Sequence, residues 1–300
     1  MYSPIAIFLY NRPDKALSCI ESLMKNNFFF DSPLYFFIDG PKNSSDLMKI
    51  EKIKQTINLF EFKNIEKIVF REKNIGLANS IFSGVQDVFK KHDRIIVIED
   101  DLILHEYFLT FMNNCLEFYN FESIYHVSGF VWGSGLENKI NIPLLIPNIN
   151  SWGWGTWKTK WEGFELGQID NNIVNNFSSN KIQAFNLNNS YNYFRILKKQ
   201  LLGKVDSWAI QWYYYVFNKK GFTVYPHMSL VVNNGMDGSG THTLSNNFSN
   251  NLVQKFQINY PKSLVFESAN FEIFCKDLKI ANNDSLLKKI ILRVLHFLKR

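Results

Sequence analysis

Cysteine is scarce: the 300 residues hold three, at positions 19, 115 and 275, an odd number in no Cys-x-x-Cys or Cys/His ligand spacing. That excludes a disulfide framework and a zinc site, and predicts buried free thiols in a reducing compartment. Glycine-rich phosphate loops are missing as well. Neither G-x-G-x-x-G nor G-x-x-x-x-G-K-S/T follows any run that reads as a strand, so a phosphate must be held by other means. No apolar run approaches the length of a spanning helix, and the N-terminus has no basic region followed by an apolar core, which predicts no signal peptide. Excess charge is modest at +6, with no basic block carrying a nucleic-acid motif. That balance suits a phosphorylated ligand or an anionic membrane surface better than sequence-specific nucleic-acid binding.

What is present is a large core. Three hundred residues, 46% hydrophobic and 16% aromatic, suffice for one large α/β domain or two intimate subdomains. Pro4 to Tyr10 reads as a buried strand, followed by a turn at Asn11-Arg12-Pro13-Asp14, with Asn11 as N-cap of a helix as far as Asn26. Leu34 to Ile38 reads as a second strand ending in Asp39-Gly40-Pro41, with a helix behind Ser44-Ser45. Ile65 to Phe70 follows as a third strand, and Leu77 to Lys91 as a third helix. This alternation predicts a doubly wound parallel sheet. Arg94 to Ile98 then gives a fourth strand, buried on both faces, which ends in Glu99-Asp100-Asp101. In open α/β sheets ligands bind beyond the carboxyl ends of the strands, and that is where Arg12, Asp39 and the three carboxylates fall. Adjacent carboxylates repel one another unless a cation is present. Hard oxygen donors suit Mg²⁺ or Mn²⁺ shared with a substrate's phosphates, whereas the plainer reading makes Asp100 or Asp101 the cap of a helix beginning near His105.

Texture changes beyond that helix. Gly129 to Asn150 reads as irregular, followed by Ser151-Trp152-Gly153-Trp154-Gly155-Thr156-Trp157. Such a cluster is either core or a saccharide-facing loop, because flat aromatic faces suit sugar rings and glycine admits a ligand close to the backbone. Asn171 to Asn192 reads as a surface excursion. Asp206 stands before an amphipathic aromatic helix, as its N-cap, as a general base, or both. Residues 233 to 242 form a Gly-rich polar loop suited to closing over a ligand, and His227 and His242 read as structural. Apolar residues at 287, 290, 291, 294, 295 and 298, with five Lys or Arg beside them, predict a basic amphipathic C-terminal helix.

Taken in order, Asn11-Arg12, Asp39, Glu99-Asp100-Asp101, Trp152-Gly153-Trp154, Asp206-Ser207-Trp208 and Gly238-Ser239-Gly240 resemble the motifs of GT-A glycosyltransferases of the N-acetylglucosaminyltransferase I type, in the form found among bacterial glycan-assembly enzymes. The resemblance spans Pro4 to about His242. It implies a GT-A type, doubly wound, mostly parallel α/β sheet with an integrated acceptor-binding subdomain: a nucleotide-sugar half at 1–120, an acceptor half at 121–275 and the C-terminal helix at 276–300. It implies an inverting, metal-dependent transfer from a nucleotide-sugar donor, a UDP-sugar such as UDP-GlcNAc, to a saccharide or lipid-linked saccharide acceptor. Arg12 would contact the diphosphate or nucleoside, Asp39 the uracil, Asp100 the donor sugar or ribose beside Glu99, and Asp101 the Mn²⁺ (or Mg²⁺). Asp206 falls on the catalytic base. Trp152, Gly153, Trp154 and Trp208 would face the acceptor. Ser207 stands where the animal enzymes carry a second Asp, and Ser80 where they carry a donor-contacting His. The implied location is cytoplasmic, with peripheral membrane contact through the C-terminal helix and no nucleic-acid partner. The competing readings are a sugar nucleotidyltransferase, which should carry a Gly-rich loop after its first strand, and a non-enzymatic carbohydrate-binding protein, which needs no metal.

Overall fold

Residues Ile5–Leu9 form β1 and lie near the middle of the main sheet, where alternate side chains enter different cores. Ile5, Ile7 and Leu9 join one buried cluster and Ala6 and Phe8 the other, as the two-residue period of a strand covered on both faces requires. The computed structural model describes residues 2–60, 62–133, 135–137, 139–235 and 256–298, with the side chains of 171 and 284–298 outside that description. After β1 come α1 (Pro13–Met24), β2 (Leu34–Ile38), α2 (Ser44–Leu59), β3 (Ile65–Phe70), α3 (Leu77–Val88) and β4 (Arg94–Glu99). β3, β2, β1 and β4 are neighbours in that order, all parallel.

The chain continues through β5 (Leu102–Leu104), α4 (Phe108–Phe118), β6 (Ile124–Ser128), β7 (Leu144–Ile146), β8 (Trp154–Trp157), α5 (Lys158–Trp161), α6 (Asn171–Asn175), α7 (Ser179–Phe185) and α8 (Tyr193–Leu201). It ends with α9 (Trp208–Asn218), β9 (Phe222–Tyr225), β10 (Val231–Asn233) and α10 (Ser268–Leu298). Among the described residues the main sheet has eight strands in the order β3-β2-β1-β4-β8-β6-β9-β7. β8 is antiparallel to both β4 and β6, β9 is parallel to β6, and β7 is antiparallel to β9. The sheet is therefore mixed and mostly parallel. α1, α2 and α4 cover one face, while α3 and α9 cover the other. The doubly wound arrangement expected of the alternating pattern is present. One sheet runs through β4, β8 and β6, so residues 1–120 and 121–275 share it.

Asn11 does not cap α1, because its amide donates to Asp46 and Arg12 occupies the cap position without a side-chain bond. Asn43, rather than Ser44, caps α2, its Oδ1 accepting from the amides of Ser45 and Asp46. The acidic tripeptide does not cap α4 either, which begins three residues after His105 with Tyr107 at its cap position. β5, β7, β8, β9 and β10 are strands that the sequence pattern does not announce. Of the Trp stretch read as core or as a saccharide-facing loop, Trp154–Trp157 forms β8, whose Trp154 and Trp157 enter opposite cores. All three cysteines are buried free thiols, as expected. No described helix is long and apolar enough to cross a membrane.

Candidate active site

β1 lies between β2, reached by a crossover to one side, and β4, reached by the return crossover from β3 to the other. Such a reversal of strand order opens a crevice at the carboxyl ends of the strands. A cleft of about 550 Å³ lies there, bounded by the ends of β1, β2 and β4, the start of α3 and the turn before α9. Arg12, Asp39, Ser80, Glu99, Asp100 and Asp206 all line it. These are the five residues expected to bind a donor together with the expected base, Asp206. Lys42, Asn74, Gly76 and Lys204 line it too and were not singled out. The rule that ligands sit beyond strand ends would have included the first three, since each lies in the loop after β2 or β3, and Lys204 is two residues from Asp206.

The acidic end of β4 carries three carboxylates against one guanidinium. Arg12 reaches over from the β1–α1 turn to pair with Asp100 through Nη2, and with Asp101 Oδ2 through Nη1 at 3.1 Å. Burial pushes the Asp100 carboxyl up to about 6, with Arg12 opposing and Asp101 reinforcing the shift. Glu99 is pushed further, to about 8, by burial and then by Asp101 and Asp100. Burial works against the charge on Arg12, but Asp100 and Asp101 outweigh it and hold the guanidinium protonated. Asp101 lies behind this pair and does not line the cleft. Its carbonyl accepts the Asn234 amide at 2.7 Å, and Gly235 backs onto its carboxylate. The donor set is oxygen only. Among the described residues no three His, Cys, Asp or Glu side chains are spaced to enclose a metal ion. The arrangement fits a hard divalent cation held by one or two of these carboxylates and completed by ligand oxygens and water, not an all-protein cage.

Asp39 is committed to backbone. Its Oδ1 accepts from the amides of Gly40 at 2.9 Å and Ile75 at 3.0 Å, and its Oδ2 from Gly76 at 3.1 Å. A carboxylate has about four lone-pair sites, so one on Oδ2 remains for a ligand donor. The clamp fixes the start of α3, where Gly76 takes φ +81° and Ser80 returns its amide to the Gly76 carbonyl at 3.0 Å. Asp206 faces that turn: a Cβ on Gly76 would stand 3.4 Å from its Oδ2. The cap of α9 is Ser207, whose Oγ accepts from the Ile210 amide at 3.4 Å. Capping therefore does not explain Asp206, which is exposed at the cleft.

The four residues expected to face an acceptor are not brought to the cleft. Trp154 is fully buried, stacked against Trp208 at 4.8 Å and against His126 at 5.2 Å. Trp208 is 3% exposed in the same cluster. Both indole faces are spent on packing, so these two assignments are corrected to core. Gly153 takes φ +64° in the turn into β8, where a Cβ would come within 2.9 Å of Phe108. Trp152 is half-buried, its ring 4.4 Å from Phe130 and 5.2 Å from Trp132. His227 is buried and stacked on Phe256, in keeping with a structural role. Gly238-Ser239-Gly240 and His242 lie outside the described residues.

No family model matches the chain, and no curated protein does. Solved structures do resemble it at low identity. Mouse xyloside xylosyltransferase 1, in its apo form, is 13% identical over 73% of this chain and 82% of its own, with a TM-score of 0.39. A mannosyltransferase from Pyrobaculum calidifontis, in complex with GDP-Man and Mn²⁺, is 8% identical over 73% of this chain and 70% of its own, at 0.42. The galactosyltransferase LgtC, in complex with donor and acceptor sugar analogues, is 8% identical over 74% and 72%, at 0.37. Likeness at this level assigns no activity to this chain.

Proposed function

We propose that the protein is an inverting, metal-dependent glycosyltransferase that moves a sugar from a nucleotide donor, a UDP-sugar such as UDP-GlcNAc, to a saccharide or lipid-linked saccharide acceptor. One observation carries the reading. A cleft of about 550 Å³ at the strand-order reversal is lined at once by the guanidinium of Arg12, the acidic end of β4 and the exposed carboxylate of Asp206. In this reading Arg12 and Lys42 face the donor's diphosphate, the open lone pair of Asp39 takes an N–H of the base, and Asp100 binds a hydroxyl of the ribose or donor sugar beside Glu99 and Ser80. Asp101 stands outside the cleft wall with Arg12 on its carboxylate, and it would hold Mn²⁺ or Mg²⁺ once the donor's diphosphate draws that guanidinium away; the ion when bound would neutralise charge on the leaving diphosphate.

Asp206 takes the proton of the acceptor hydroxyl as its oxygen attacks the anomeric carbon. The bond from that carbon to the diphosphate oxygen breaks on the opposite face, so the configuration inverts and the nucleoside diphosphate departs. One carboxylate suffices, since no water is activated and no covalent intermediate forms. Of the three indoles expected to face an acceptor, Trp152 alone is not buried, and it lies outside the residues that line the cleft.

Calorimetry of the full chain with UDP, with and without Mn²⁺, followed by a panel of UDP-, GDP- and CMP-sugars scored for slow donor hydrolysis, tests the reading. Mn²⁺-dependent UDP binding and turnover of one donor are expected. Failure to bind or turn over any nucleotide sugar overturns it, and sugar binding without metal or nucleotide would favour a carbohydrate-binding protein.

A further inference from the structure

Asp46 does not line the cleft, yet the wall that faces a ligand hangs from it. It sits in the first turn of α2 and is 3% exposed. Its Oδ2 accepts the Tyr10 hydroxyl at 2.7 Å and the Lys42 amide at 3.0 Å, while its Oδ1 accepts the Asn11 side-chain amide at 2.7 Å. Tyr10 and Asn11 are the first residues of the β1–α1 turn, and Lys42 belongs to the loop after β2. One carboxylate, 36 and 35 residues along the chain from Tyr10 and Asn11, thus ties two loops that are neighbours in space.

What it ties matters for the site. Tyr10, Arg12 and Lys42 all line the cleft, and the Lys42 ammonium stands 5.7 Å from the centre of the Tyr10 ring. Arg12 follows directly on Asn11 and, at the cap position of α1, has no side-chain bond of its own to the helix. Its backbone is fixed from one side by the α1 hydrogen bond to Ala16, and from the other by the Asn11 anchor on Asp46. Asp39 performs the corresponding task one loop further along, on Ile75 and Gly76. Two carboxylates therefore join three successive loops into one rim. A charged acceptor of three bonds is worth more than a neutral one, and the bonds from Asn11 and Tyr10 hold the Asp46 carboxyl down at about 2.

We infer that Asp46 is a positioning residue for the donor site, setting Tyr10, Arg12 and Lys42 against the ligand without touching it. The inference rests on the glycosyltransferase reading above. Losing the anchor releases the wall that carries Tyr10, Arg12 and Lys42, so Asp46→Ala should weaken UDP binding in the presence of Mn²⁺ by roughly ten- to a hundredfold, the change that corresponds to one hydrogen bond to a charged group. The donor KM should rise more than kcat falls. Asp46→Asn should recover most of the affinity, because the Asn11 amide can turn to present its oxygen while the Tyr10 hydroxyl and Lys42 amide keep an acceptor.

The test is calorimetry of the full-length parent and variants with UDP and Mn²⁺, beside their melting temperatures. If Asp46→Ala does not fold, Asn11→Ala removes one of the three bonds with the carboxylate in place, and it should weaken UDP in the same direction by a smaller factor. Parent-like affinity in the folded variants, with only a lowered melting temperature, makes Asp46 a purely structural residue and overturns the inference alone. A parent chain that binds no nucleotide overturns the transferase reading and this assignment with it.

Discussion

Asp206 is the residue on which the proposed chemistry turns, and the structure removes its main competing explanation. A cap would be lost on substitution, but Ser207 caps α9 and Asp206 lies one residue outside it. Asp206→Asn should therefore leave stability within a few tenths of a kcal/mol, as for most exposed substitutions. UDP affinity should stay near the parent's, since in the proposed reading Asp206 meets the acceptor hydroxyl and not the nucleotide. Transfer should fall by about 10² to 10⁴, the contribution of a general base. Side-by-side urea denaturation, UDP calorimetry and a transfer assay give the three readings. Near-parental transfer moves the base elsewhere, with Glu162, exposed at the end of α5, the next carboxylate to substitute.

At this scale the sequence was informative where a residue ends a strand. Arg12, Asp39, Glu99 and Asp100 could be placed at one edge because the runs before them are unmistakably strands. Asp46 could not be found that way, because nothing local distinguishes a first-turn helix carboxylate that reaches back to Tyr10 and Asn11 from one left in solvent.

Among the elements, β8 shows why tertiary context escapes a reading by pattern. Trp154-Gly155-Thr156-Trp157 lacks a run of branched apolar residues, and glycine inside a strand weakens it. Gly155 is required by its neighbour: a Cβ there would stand 2.7 Å from the Ile95 carbonyl on β4. The glycine admits another strand, where the sequence suggested a ligand. Alternation then sends Trp154 into the cluster with Trp161, Trp208 and Trp212, and Trp157 to the other face, its indole N–H donating to the Leu116 carbonyl at 2.8 Å. His126 belongs to the same packing. Its ring accepts from Trp212 Nε1 at 3.2 Å and pairs with the Asn150 carbonyl at 2.9 Å, and burial holds it neutral, its pKa pulled down to about 3. Trp154→Ala should accordingly cost about 3–5 kcal/mol, the usual range for deleting a buried indole. Per folded molecule, UDP affinity should not move. A variant of near-parental stability with a selective loss of acceptor KM would return Trp154 to the acceptor site.

For the whole molecule, α10 bears on how the proposed acceptor would reach the cleft. Its first turns belong to the globule. Phe274, Cys275, Leu278 and Ala281 are buried, and Asp277 accepts the Gly135 amide at 2.8 Å. The helix continues as backbone to Leu298, about 22 Å past Asn283 at 1.5 Å per residue. Over 284–300 the sequence carries five Lys or Arg against one Asp, with apolar residues at helical spacing. We propose that this stretch is an interfacial anchor for an anionic membrane carrying a lipid-linked acceptor. A cut after Asn283 keeps every buried turn named above, so the truncated protein should fold, melt close to the parent and hydrolyse donor at the parent's rate. Its retention on vesicles of anionic phospholipid in a flotation assay should be lost, while the parent's retention should weaken with salt as a charge-driven contact does. If the truncated chain is insoluble or melts far below the parent, the distal turns contribute to the globule. If it still floats with anionic vesicles, the membrane contact lies on another surface.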